Sequence, residues 1–106
     1  MVIVRIIARK TLRDFVESLR GGKAQKSVKS ALDAWFHEVQ SANWKTPADV
    51  TRSYANASIV GDDRVVFNVK GNDYRLVARV RYQAGVLVVR FFGTNAEYDT
   101  IDAETV

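Results

Sequence analysis

Arg64-Val65-Val66-Phe67-Asn68-Val69, Tyr74-Arg75-Leu76-Val77-Ala78-Arg79-Val80-Arg81-Tyr82 and Val86-Leu87-Val88-Val89-Arg90-Phe91-Phe92 are three β-branched and aromatic runs set close together. The connectors between them, Lys70-Gly71-Asn72-Asp73 and Gln83-Ala84-Gly85, carry turn residues. Runs of this kind joined so tightly form an antiparallel meander. Successive side chains of a strand point to opposite faces. In the middle run Tyr74, Leu76, Ala78, Val80 and Tyr82 therefore share one face, and Arg75, Val77, Arg79 and Arg81 share the other. The apolar face needs a cover.

The residues upstream supply it. Val2 to Ile7 is β-branched and reads as a strand. Thr11 can cap a helix in which Leu12, Phe15, Val16 and Leu19 repeat at helical spacing, with Gly21-Gly22 as its stop. A second helix is expected from Ala24 to Ala42, with Val28, Ala31, Leu32, Trp35, Phe36 and Val39 as its stripe. Thr46-Pro47-Ala48-Asp49 is a short helix start, with Thr46 as cap, Pro47 at the first position and Asp49 in the first turn. Ser58-Ile59-Val60 is a short strand closed by Gly61-Asp62-Asp63. The expectation is an α+β fold: an N-terminal strand and a two-helix hairpin packed on one side of an antiparallel β-sheet.

At 106 residues the chain has the size of one domain, read here as a single domain over residues 1–106. Hydrophobic residues at 47% and charged residues at 26% are ordinary globular usage, which argues against disorder. With no cysteine there is neither a disulfide nor a thiolate-held zinc. One histidine, and no HxxxH or DxD spacing, leave no metal motif, and no glycine-rich nucleotide loop is present, so no cofactor is expected. No apolar run approaches the roughly 20 residues of a membrane span. The expected location is the cytoplasm.

Charge is unevenly spread. Residues 1–63 carry ten Lys/Arg against seven Asp/Glu, residues 64–92 six against one, and residues 93–106 none against four. A basic middle followed by an acidic tail suits a polyanion-facing surface that the tail could shield. Arg75, Arg79 and Arg81 project the same way from a regular strand, with Lys70 just before them and Arg90 on the next run. Guanidinium groups match phosphate with paired hydrogen bonds, so such a stripe suits a nucleic-acid backbone. Only Asp73 lies in this region to neutralise it. Asn68 and Asn72 flank the Lys70-Gly71 turn, where Gly71 is the residue able to take a positive φ. His37 falls on the polar side of the second helix and reads as solvated.

Three segments in order carry a resemblance. They are Trp44-Lys45-Thr46-Pro47-Ala48-Asp49-Val50, then Val66-Phe67-Asn68-Val69-Lys70-Gly71-Asn72-Asp73-Tyr74-Arg75-Leu76-Val77, then Arg90-Phe91-Phe92-Gly93-Thr94-Asn95-Ala96-Glu97-Tyr98-Asp99. The chain resembles the HigB-type branch of the RelE-like toxins. That resemblance implies a RelE-like fold and a metal-independent endoribonuclease, an mRNA interferase acting on translated mRNA at the ribosome. It also implies neutralisation by a helix-turn-helix antitoxin of the HigA type. Carried over by position, Asn68, Asn72, Arg75 and Arg90 fall on polar positions of the family's active face, Lys70 on an often basic position, and Tyr98 and Asp99 on the closing motif; Lys70, Arg75, Arg90, Asn95 and Tyr98 are the candidate catalytic residues. Asn68, Asn72, Arg79 and Arg81 are expected to contact RNA.

One position departs from the pattern. Asn95 stands where similar toxins have a histidine. An imidazole moves protons near neutral pH, whereas an amide only donates and accepts hydrogen bonds. Proton transfer would then fall to Lys70 or Tyr98, or to the RNA and ribosome themselves, with Arg75 and Arg90 on the phosphate. A catalytically weak or inactive RNA- or ribosome-binding module of the same fold is the alternative.

Overall fold

The computed structural model describes residues 5–7, 9–61, 63–70 and 73–106. The elements in chain order are β1 (Arg5–Ile7), α1 (Arg9–Ser18), α2 (Ala24–Gln40), α3 (Pro47–Ser53), β2 (Ser58–Val60), β3 (Arg64–Val69), β4 (Tyr74–Arg81), β5 (Val86–Thr94) and α4 (Asn95–Tyr98). The five strands form one sheet in the order β1-β5-β4-β3-β2. All neighbours are antiparallel except β1, which runs parallel to β5 with Ile6 opposite Leu87. The expected α+β layout, a two-helix hairpin on one side of a mostly antiparallel sheet, is the observed one, and the short α4 lies on the other side.

Alternation along β4 sorts the two layers. Tyr74, Leu76, Ala78 and Val80 are buried against the helices together with Val65 and Phe67 of β3 and Leu87, Val89 and Phe92 of β5. From above, α2 inserts Val28, Leu32, Trp35, Phe36 and Val39, and α1 adds Leu12. Phe67 is the hub. Its ring meets Trp35 at 5.5 Å and Tyr54 at 5.2 Å edge-on, and stacks on Trp44 at 6.0 Å. One β3 side chain thus ties α2 and the segments flanking α3 to the sheet. Trp44 is fixed further by its indole N–H, which donates to Ser53 Oγ at 3.2 Å.

Helix boundaries differ from the sequence expectation where capping alone was the guide. Helix α1 begins at Arg9, so Thr11 lies inside it instead of capping it. A Thr cap is worth only about 1 kcal/mol, and Arg and Lys are good helix formers, so the helix extends through them. It ends at Ser18, leaving Leu19 in the turn with Gly21 at φ +81°. Helix α2 stops at Gln40 and not at Ala42. There Ser41 Oγ donates to the carbonyls of His37 and Glu38, taking up groups that a helix end leaves open. His37 is exposed, as expected. At α3, Pro47 takes the first position and Asp49 Oδ2 reaches back to the N–H groups of Lys45 and Thr46 at 2.9 and 3.1 Å. These bonds, led by that from Lys45, hold the Asp49 carboxyl below its usual pKa.

The β-branched reading of Val2 to Ile7 is met over Arg5–Ile7; residues 2–4 lie outside the described part. Strand β4 ends at Arg81, one residue short of Tyr82, where Gly85 at φ +67° returns the chain and donates to the Arg81 carbonyl. Strand β5 runs two residues past the expected end at Phe92. Along it Val77 of β4 faces Phe91 whereas Ala78 faces Val89, so Arg90 is an extra residue, a β-bulge. The bulge shifts the period. Leu87 and Val89 face the helices before it and Phe92 after it, while Phe91 turns to the outer face.

Replacing Phe67 by Ala removes a fully buried ring with three aromatic neighbours and is expected to cost about 3–5 kcal/mol in urea unfolding. A loss below 1 kcal/mol would show that the aromatic cluster is not what joins the layers.

Candidate functional site

The outer face of the sheet, away from the helices, carries the chemistry. Across it the registers define rows. Asn68 of β3 pairs with Arg75 of β4, and Arg75 with Gly93 of β5. The next row is apolar: Val66, Val77 and Phe91. Beyond it, Arg64 pairs with Arg79, and Arg79 with Val88. The arginines are therefore not one stripe. Arg75 lies at one end with Asn68; Arg64, Arg79 and the bulged Arg90 lie past the apolar row.

The C-terminal segment covers that middle row. Ala103 is buried against Val66 and Val77, with Phe91, Tyr98, Ile101 and Val106 packed around them. The cover is apolar, and among the described residues no Asp or Glu side chain of this segment pairs with an arginine. Arg64 donates from Nε and Nη2 to the main-chain oxygen of Val106 at 3.3 and 3.1 Å, and Arg90 Nε donates to the same oxygen at 3.2 Å.

The basic patch also has an internal counter-charge that the sequence reading missed. Asp63 Oδ1 accepts from Arg64 Nη1 and its Oδ2 from Arg79 Nε, both at 2.7 Å. Arg64 and Arg79 are direct cross-strand partners, and like charges so placed repel. One carboxylate between them removes the repulsion, and the Arg64 side chain, only 12% exposed, needs such a partner. The hydrogen bond from Arg79, with the charges of both arginines, holds the Asp63 carboxyl below its ordinary pKa. Asp73 was the expected counter-ion; it lies 4.0 Å from Lys70 Nζ instead. A signal was available: Asp63 directly precedes Arg64, whose strand partner is Arg79.

The remaining expected site residues fall as follows. Lys70 directly follows β3 with φ +54°, a left-handed conformation that costs an L-residue energy and is common at functional sites. Gly71 and Asn72 lie outside the described residues. Arg75 is half-buried, with Nη1 donating to the Tyr74 carbonyl at 3.3 Å. Arg81 is exposed near the far end of β4. Asn95 opens α4, two residues after the Gly93 that faces Arg75. Tyr98 packs on Phe91, ring centres 6.4 Å apart. Asn68, Arg75 and Asn95 thus gather at one end of the outer face. Arg90 stands three residues from Gly93, roughly 10 Å along the strand at about 3.3 Å per residue.

Helix α4 is positioned by a capping box the sequence reading did not use. Thr94 N–H donates to Glu97 Oε1 at 2.8 Å and Glu97 N–H donates to Thr94 Oγ1 at 3.2 Å. Gly93 has no room for a side chain: a Cβ would stand 2.8 Å from the Phe91 ring and 3.0 Å from Glu97 Oε1. Glu97 therefore serves as a cap, which sets where Asn95 and Tyr98 start.

The profile of the HigB toxin family, described as the RelE-like toxic component of a toxin–antitoxin system, matches residues 28–101. The chain belongs to this family. No curated protein matches it. As a HigB-family toxin it has an antitoxin as partner, and its open sheet under helices is the RelE-like arrangement. Among the described residues no helix is long and apolar enough to cross a membrane. A cleft of about 330 Å³ over Leu12, Val16, Leu32 and Phe36 lies between α1 and α2, away from the arginine face.

Because the Asp63 carboxyl is held below its ordinary value of 3.8, its contribution to stability is present above about pH 4 and lost as the pH falls through the lowered value. Asp63→Asn is expected to lower the urea midpoint at pH 7, and the gap from the natural chain should close as the pH falls through the lowered value. A gap that stays constant with pH would show that the Asp63 charge contributes nothing.

Proposed function

We propose that this toxin is a metal-independent endoribonuclease, an mRNA interferase that cuts translated mRNA at the ribosome in the cytoplasm, and that a helix-turn-helix antitoxin of the HigA type restrains it. The observation that carries this reading is the grouping of a cation, Arg75, with two amides, Asn68 and Asn95, beside the strained Lys70. Cleavage requires the ribose 2′-oxygen to lose its proton and attack phosphorus, and the 5′-oxygen to leave with a proton. Between these events the phosphorane carries extra negative charge.

Arg75 stabilises that charge, and Asn68, Asn72 and Asn95 orient the RNA. Arg90 adds a second cation from across Phe91; its Nε is engaged by Val106, while its Nη groups have no partner among the described residues. Lys70 and Tyr98 are the groups able to move protons. Arg81 is exposed, which suits contact with the RNA backbone further along the strand. Arg79 is held by Asp63 and contributes charge at a distance.

Asn95 favours a second reading, a non-catalytic RNA- or ribosome-binding module, because an amide transfers no proton. The deciding experiment is controlled expression in bacteria, mapping new 5′ ends on a translated reporter mRNA and on the same mRNA without its start codon. Cuts confined to the translated message are expected. Cuts on both would mean a free ribonuclease, and growth arrest without cuts would overturn the enzymatic reading.

Arg75→Ala is expected to lower cleavage by about 10²-fold or more, as for loss of one donor to a developing oxyanion. An unchanged rate would remove Arg75 from the mechanism. Asn95→His is expected to change the rate less than about tenfold, whereas a gain on the order of 10²–10⁴-fold, the worth of an acid–base group, would assign the natural chain to the binding-module reading.

A further inference from the structure

Residues 102–106 cross the outer face of the sheet. Ala103 sits on Val66 and Val77, and Glu104 lies against Gly61 in the turn between β2 and β3. Val106 packs on the same apolar row, together with Phe91 and Val60. That row lies between Arg75 and the arginines beyond it. Arg75 faces Gly93, so Arg75 and Arg90 stand roughly 10 Å apart along the strand at about 3.3 Å per residue. One phosphate cannot touch both. A nucleic-acid strand that does so must lie across the row that these residues cover.

The segment is built to come away as a unit. It contains neither helix nor strand, and its root is tied by the Ile101 N–H, which donates to the Tyr98 carbonyl at 3.2 Å. Asp102 closes its turn from within. The Asp102 Oδ1 accepts from the Glu104 N–H at 3.0 Å, and the Asp102 carbonyl accepts from the N–H groups of Thr105 and Val106 at 3.1 and 3.0 Å. Among the described residues, its hydrogen bonds to the sheet are those that the Val106 main-chain oxygen accepts from Arg64 and Arg90. Lifting it therefore breaks no strand pairing. Two guanidinium groups converging on one oxygen would hold a phosphate oxygen equally well. Beneath the segment lie Val66, Val77 and Phe91, and any base has a face that stacks on an aromatic ring.

We propose that residues 102–106 are a strap over the RNA path of this face, and that RNA lifts it, a phosphate taking the Arg64 and Arg90 donors that the Val106 oxygen holds. The proposal rests on the ribonuclease reading for RNA as the ligand and adds the regulation of that site: the toxin closes its own arginine face until RNA competes the strap away. Charge favours exclusion over coexistence. Residues 99–106 carry Asp99, Asp102 and Glu104 and no Lys or Arg, so a phosphate backbone beside the docked strap meets like charge. The apparent RNA affinity is then lowered by the fraction of chains that are open.

The test is an NMR titration of the ¹⁵N-labelled full chain with a 2′-O-methyl hexaribonucleotide, which has no free 2′-hydroxyl to attack and is not cut. The amide signals of Glu104, Thr105 and Val106 are expected to move to narrow, unstructured positions in step with binding. Ala103→Gln puts a polar side chain where the strap meets Val66 and Val77 and changes no arginine. It is expected to tighten RNA binding roughly tenfold, the factor for a strap closed about nine times in ten. Glu104→Gln removes a charge but leaves the apolar docking in place, and is expected to gain less. RNA bound with those three amides unmoved, no RNA bound at all, or a gain in Glu104→Gln equal to that in Ala103→Gln would each overturn the strap. The titration of the natural chain decides the matter even where Ala103→Gln does not fold. Strap release without any cut in the expression experiment would sink the ribonuclease reading and leave the strap standing. Cutting with a strap that stays docked would do the reverse.

Discussion

Each residue of β4 must face either the helical layer or the outer surface, and the whole arrangement depends on that division. Tyr74, Leu76, Ala78 and Val80 go under the helices, which leaves Arg75, Val77, Arg79 and Arg81 outside. A shift of one residue would bury three guanidinium groups, at a cost that no helix stripe could offset. Register is thus set by the helices through Phe67 and its aromatic partners. The outer face inherits its pattern from what the inner face requires.

On that outer face charge and apolarity are interleaved. The row of Val66, Val77 and Phe91 separates Arg75 from the other arginines, and the C-terminal segment lies over it. Asp63 and the main-chain oxygen of Val106 hold the arginines beyond the row, which fixes their geometry and lowers the positive field they project. Arg75 stands apart, near amides from two other elements. A strand end next to a capped short helix is a rigid setting, and rigid donors stabilise a developing anion without reorganising. In the proposed reaction this setting carries more of the work because Asn95 cannot transfer a proton.

The bulge at Arg90 links packing to the site. By adding one residue to β5 it returns Phe92 to the core and turns Phe91 outward, where Tyr98 rests on it. Bulges re-aim side chains near functional sites in many sheets. Here the consequence is that Phe91, Gly93 and Glu97 fit together closely enough to exclude any side chain at Gly93. The start of α4 follows from that fit.

The sequence by itself determined the layers, the meander, the face of each β4 residue and, through three motifs, the family. These depend on local period, turn chemistry and short spacing, all of which are present in a linear string. The helix ends were less legible, because a cap such as Thr11 is a weak preference that neighbouring residues override, and no strong stop marks the end near Ala42. The tertiary structure alone decided three things. It paired Asp63 with Arg64 and Arg79, laid the tail over the outer face by Ala103 and Val106, and assembled a small cleft lined by Glu38, Tyr54 and Lys70 from distant parts of the chain. The first depends on strand register, the last on how helix and sheet pack, and the tail on a bulge whose single extra residue reverses the facing of all that follows it, which a two-residue period read along the sequence cannot show.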